Sequence, residues 1–170
     1  MKKILVLALI LCCLTASAHA LTVSEFVERY NADIGKGFYT AYAREDWIEG
    51  DFWFVSGHDN RHMVILKFDP DSADRAADCT VLSVFVKHKP RVSVSTFINN
   101  MAAALGAAYP DIPEETRLSE LVRCLCVRDQ VLGYGTGDDA PAPYHSEFFG
   151  EMVYQEETDY HTFLFSLPEE

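Results

Sequence analysis

The chain has 170 residues, 49% of them hydrophobic, with 26 Asp and Glu against 14 Lys and Arg and a formal net charge of −12. Binding to nucleic acid or to anionic lipid needs clustered basic side chains, so this balance excludes both as expectations. Basic proteins and cations remain as partners.

Residues 1–20, "MKKILVLALILCCLTASAHA", open with Lys2 and Lys3, continue through the apolar run Ile4–Leu14 and end in Ala18-His19-Ala20. This is the pattern of a cleaved, bacterial-type secretory signal peptide with cleavage before Leu21. The apolar run is shorter than the ~18 residues a membrane span requires, and no transmembrane segment is expected elsewhere. Bulky Leu11 ahead of Cys12 does not suit a lipid-attachment site. The expected product is an exported protein, periplasmic or extracellular, with one domain over 21–170, long enough for a single core. Without Lys2 and Lys3, twelve basic side chains face 26 acidic ones, a formal charge near −14.

Thr22 and Glu25 form a capping-box pattern, and Val23, Phe26, Val27, Tyr30 and Ile34 recur at helical spacing, which predicts a helix ended by Gly35 and Gly37. From Phe38 the segments "GFYTAYAR", "WIEGDFWFV", "HMVILKF" and "CTVLSVFVKH" are rich in aromatic and β-branched residues. They predict strands near 38–43, 47–55, 62–68 and 79–88, joined as antiparallel hairpins. Pro90 stops the last. Ser93 then caps a helix carrying Val94, Phe97, Ile98, Met101 and Leu105, with Pro110 beyond its end. A further helix is predicted from Glu114, with Leu118, Leu121, Val122 and Leu125 on one face. "GYGTGDDAPAP" (133–143) reads as a loop and lacks the spacing and lysine of a phosphate loop. Two strands near 147–155 and 160–167 close the chain. The order α-β-β-β-β-α-α-β-β, with strands grouped, predicts an α+β fold: one antiparallel sheet of about six strands with helices packed on one face.

Candidate chemistry is sparse. His58 and His62 flank a turn, where a hairpin can bring two imidazoles together as a surface metal site, although Arg61 lies between them and the glutamate of a helical His-Glu-x-x-His site is missing. Asp69, Asp71, Asp74 and Asp78 depart from the order of a calcium loop and read as a solvated acidic turn. No serine sits in a nucleophile elbow, and no carboxylate pair stands out. No catalytic residue and no cofactor is assigned.

The densest aromatic stretch is "FYTAYAREDWIEGDFWF". Strand parity puts Trp47 and Trp53 on one side, opposite Phe52 and Phe54, which would give an apolar patch with Glu49 and Asp51 as an acidic rim. Trp47, Glu49, Asp51 and Trp53 are therefore the candidate binding residues.

Cys124 and Cys126 are about 200° apart on the predicted helix, which does not suit a bond between them. Export favours oxidation, so the expected crosslink is Cys79 to Cys124, or else to Cys126, closing a loop of about 45 residues for about 3–4 kcal/mol. The function expected is an exported, non-catalytic binding or protein-interaction module, inhibitor- or immunity-like, with a basic protein as partner. The alternative is a small-ligand-binding protein or hydrolase with a pocket between sheet and helices.

Overall fold

The computed structural model describes residues 20–34, 42–49, 52–56, 62–90, 92–132, 143–156 and 159–168, with the backbone alone at 34, 42–49, 52–56, 76, 94 and 127–132. These residues form helices α1 (Val23–Ile34), α2 (Val94–Ala108) and α3 (Glu114–Leu132). They also form strands β1 (Tyr42–Glu49), β2 (Phe52–Ser56), β3 (His62–Asp69), β4 (Thr80–His88), β5 (Tyr144–Ser146), β6 (Gly150–Glu156) and β7 (His161–Ser166). Every pairing is antiparallel, in one sheet of order β1-β2-β3-β4-β7-β6-β5. The fold is α+β with a single antiparallel sheet, as the grouping of the strands predicts.

The expected strand boundaries need correction at two hairpins. The predicted strand over 47–55 is divided, because Glu49 pairs with Phe52 and only Gly50 and Asp51 separate the two strands. A Gly-Asp pair between β-rich runs is itself a hairpin signal. The predicted strand over 147–155 begins at Gly150, and the short β5 adds a seventh strand before it. Between them the Ser146 hydroxyl accepts the N–H groups of Phe148 and Phe149 at 3.1 and 3.3 Å. Gly150 adopts φ +68°, open to glycine at little steric cost, and so completes the turn. The predicted loop over 133–143 lies outside the described residues up to 142.

Register stacks the helix-covered face of the sheet in rows. Val64, Val86, Phe163 and Tyr154 form one row; Leu66, Val84, Phe165 and Met152 form the next. All eight are buried, and with Phe26, Phe97, Met101, Leu105 and Leu121 they make one core. On the opposite face, Ile65, Phe85, Leu164 and Val153 align and are half-buried.

The helices start as their sequences dictate. Thr22 N–H donates to Glu25 Oε2 at 3.1 Å, and Glu25 N–H donates back to Thr22 Oγ1 at 3.3 Å, closing the capping box. Beside it Val23 N–H donates to Cys79 O at 3.0 Å and Val81 N–H to Leu21 O at 2.8 Å, which anchors the start of α1 to β4. The Ser93 hydroxyl caps α2 through Thr96 N–H at 3.2 Å. Along α2 the small residues Ala102, Ala103, Gly106 and Ala107 admit close neighbours. Arg117 of α3 lies against Gly106 and donates to Ala102 O at 3.1 Å and Asp33 Oδ2 at 2.9 Å, so one guanidinium ties the three helices together.

The buried face of α3 is rotated from the predicted one. Leu121 and Cys124 are buried and Leu118 and Leu125 half-buried, but Val122 is 51% exposed. Glu120 is buried in its stead and accepts from Tyr144 Oη and from Arg123 Nη1, each at 2.9 Å, which holds β5 to the helix.

Candidate functional site

The row of the sheet beyond Val64, Val86 and Phe163 is polar. His62 of β3 pairs with His88 of β4, His88 pairs with His161 of β7, and His161 pairs with Glu156 of β6. In a strand, residues two apart share a face. The three histidines therefore stand on the helix-covered face, at the end of the sheet where β4 leads into α2. Ring centroids are 6.4 Å apart for His62 and His88 and 4.8 Å for His88 and His161.

Each imidazole has different partners. His62, 6% exposed, accepts at Nδ1 from Asn100 Nδ2 of α2 at 3.0 Å. His88, 3% exposed, donates from Nδ1 to the Lys89 carbonyl at 2.8 Å, which fixes its tautomer and leaves Nε2 as an acceptor. That Nε2 is buried and has no hydrogen-bond partner among the described residues. The Phe97 ring of α2 covers His88 at a centroid distance of 3.7 Å. Tyr154 Oη donates to Glu156 Oε1 at 3.1 Å and so receives Nδ1–H of His161 at 2.9 Å. His161 Nδ1 also lies 3.5 Å from Glu156 Oε1.

Burial pushes His88 below the ordinary histidine range. The Lys89 carbonyl acts in the opposite direction, His161 and His62 lower it further, and Glu156 opposes them. Neutral His88 is the form this environment favours, since a charge here would be desolvated and would face two other imidazoles.

Of the two histidines expected as a metal site, His62 is thus a buried residue of β3 packed under α2 rather than a solvated turn residue, and His58 lies outside the described residues. Among the described residues no group of three or more His, Cys, Asp or Glu is arranged to hold a metal ion. The acidic stretch expected as a turn does form one: Asp69 Oδ1 accepts Asp71 N–H at 3.0 Å, and Ser72 Oγ accepts Thr80 N–H at 2.8 Å.

The expected disulfide does not form in the structure. Cys79, Cys124 and Cys126 are free, the first two buried and the third exposed. Cys79 Sγ points to the carbonyls of Ala73 and Arg75 at 3.5 and 3.4 Å, and Cys124 Sγ to Met152 O at 4.0 Å. Met152 aligns through Phe165 with Val84, five residues along β4 from Cys79. At ~3.3 Å per residue that is on the order of 15 Å, whereas a disulfide needs Cα atoms within about 7 Å. Burial also pushes the Cys124 thiol up to about 12, so it behaves as a small apolar group.

Comparison with protein families, with curated proteins and with solved structures found no match.

The candidate binding residues fall on the β1–β2 hairpin. Trp47 and Glu49 are in β1 and Trp53 is in β2, all described by backbone; Asp51 lies outside the described residues. Within the sheet β1 is the edge strand, bonded to β2. Register sets Phe52 and Phe54 opposite Lys67 and Ile65, and sets Trp53 opposite Leu66, in the helix-covered row that continues through Val84, Phe165 and Met152. The parity expected to put Trp47 and Trp53 on one side needs correction, because Gly50 and Asp51 divide the stretch, Ile48 rather than Trp47 pairs with Trp53, and the register shifts between Ala43 and Ile48. No helix among the described residues is long and apolar enough to cross a membrane.

Sequence reasoning overlooked His88, His161, Asn100, Tyr154 and Glu156. The signal was present: each histidine of the row is two residues from a core position, in His62-x-Val64, Val86-x-His88 and His161-x-Phe163.

Proposed function

We propose that the chain is an exported, non-catalytic protein-interaction module that binds a basic partner along the edge hairpin β1–β2, through the segment carrying Trp47, Glu49, Asp51 and Trp53. The observation that carries this reading is the position of that hairpin at the edge of the sheet. An edge strand presents backbone N–H and C=O groups that an extended segment of another protein can pair with, and side chains along it supply specificity. From Tyr42 to Ser56 the hairpin holds Glu45, Asp46, Glu49 and Asp51 against Arg44 alone. A basic segment meets complementary charge there, and the acidic whole adds steering.

Export comes from the leader at 1–20, and a periplasmic or extracellular partner follows from it. The alternative, a small-ligand protein or hydrolase working between sheet and helices, gains less support. His62 does stand between β3 and α2, but His62 and His88 are packed under Asn100 and Phe97, which screens these two imidazoles from a substrate.

Capture from a native envelope extract at low salt tests the reading, with mature wild-type protein and Glu49→Lys/Asp51→Lys as baits. The expected result is a stoichiometric basic protein on the wild type that elutes as salt rises and is depleted at least about tenfold on the charge-reversed bait, the scale of a ~1.4 kcal/mol loss. Equal recovery on both folded baits, or an acidic partner, overturns it.

A further inference from the structure

The histidine row joins the sheet to α2 in a way that depends on the imidazoles being neutral. Two residues of α2 make the junction: Asn100 donates to His62 Nδ1, and Phe97 covers His88. Both lie in the first half of a helix that follows β4 after a short connection. We propose that His62 and His88 form an acid-operated latch, which holds the first half of α2 on the sheet when neutral and releases it when protonated.

The groups around the row decide the direction. From β3 comes His62, from β7 His161, and from β6 Tyr154 and Glu156; Lys89 contributes its carbonyl. From above comes no charge, since α2, "VSTFINNMAAALGAA", has no ionisable side chain. Among the described residues Glu156 is the one carboxylate in the row, and it lies at the far end beside His161. A proton added to His88 Nε2 creates a buried N–H donor in a place where that atom has no partner among the described residues, 4.8 Å by ring centroids from one imidazole and 6.4 Å from another. A proton on His62 Nδ1 removes the acceptor that Asn100 uses. Both changes are relieved by admitting water between the row and α2.

The sign follows from linkage. With a folded-state affinity for protons below that of the unfolded or opened chain, His88 contributes stability that is present above the ordinary histidine pKa of ~6.5 and is lost as pH falls through its lower folded value. An exported protein without an enclosing cytosol meets such acid directly.

Amide hydrogen exchange of the mature protein at pH 7.5 and 5.0, corrected for the intrinsic rate, reads the latch. The expected result is a loss of protection of about tenfold or more over residues 94–101, while the centres of β4 and β7 keep theirs. His88→Leu, which removes one of the two protonation sites, is expected to lose clearly less protection over α2 at pH 5.0 than the wild type. Should that variant fail to fold, NMR titration of the wild-type histidine Cε1–H signals replaces it: His88 must titrate in the same pH range in which the α2 amides lose protection. Unchanged protection of α2 while the histidines titrate, or an equal loss in folded His88→Leu, overturns the proposal.

Discussion

Three imidazoles from distant parts of the chain meet in one row because strand parity and register bring them there. Parity fixes the face, since each histidine stands two residues from a core position; register fixes the neighbours. Parity was legible in the sequence and register was not, because pairing of β4 with β7 depends on a crossover through α2 and α3. The cysteines make the converse case. Spacing and export argued for a bridge, but the bridge required Cys79 and Cys124 to meet, and α3 crosses the sheet over β6 instead. The prediction is that denatured, unreduced mature protein shows three free thiols by mass spectrometry. In the native state an alkylating reagent at pH 8 modifies Cys126 first, while buried Cys79 and Cys124 resist until unfolding. A disulfide-linked peptide pair, or early labelling of Cys124, contradicts this.

At the scale of elements, the caps at Thr22 and Ser93 were readable because capping is local chemistry within four residues. The face of α3 was not. Leu118, Leu121, Val122 and Leu125 fit a helical stripe, yet Glu120 is buried through Tyr144 and Arg123 while Val122 is exposed. Hydrophobic spacing cannot see a carboxylate that finds a tyrosine from β5. Arg117 is a second such case, as its guanidinium lies where a Cβ on Gly106 would stand. Replacing an interior helical glycine with alanine ordinarily stabilises by about 1 kcal/mol. Gly106→Ala displaces Arg117 from Asp33 and Ala102 O, so the expected sign reverses, to a net loss of about 1 kcal/mol in denaturant unfolding. A stabilised Gly106→Ala removes the role given to Arg117.

For the whole molecule, the class was legible because grouped strands and short hairpins leave few alternatives to an antiparallel sheet with helices on one face. The strand order was not. The four-stranded meander β1–β4 grows in one direction, the chain crosses through α2 and α3, and β5–β7 return to meet β4, which becomes a central strand. This arrangement leaves β1 and β5 at the two edges. They differ in reach, since β5 spans Tyr144–Ser146 and β1 spans Tyr42–Glu49, the strand that carries most of the hairpin's charge. The proposed function makes β1 the contact edge, and Phe148, half-exposed beside β5, marks the opposite one. Site-specific photo-crosslinking in the native envelope distinguishes the edges, with the crosslinker at position 47 in one protein and at position 148 in another. An adduct with a basic protein from position 47, weakened by salt and absent from position 148, is the predicted result. An adduct from position 148 alone, or none from position 47, contradicts the assignment of the β1–β2 hairpin as the binding surface.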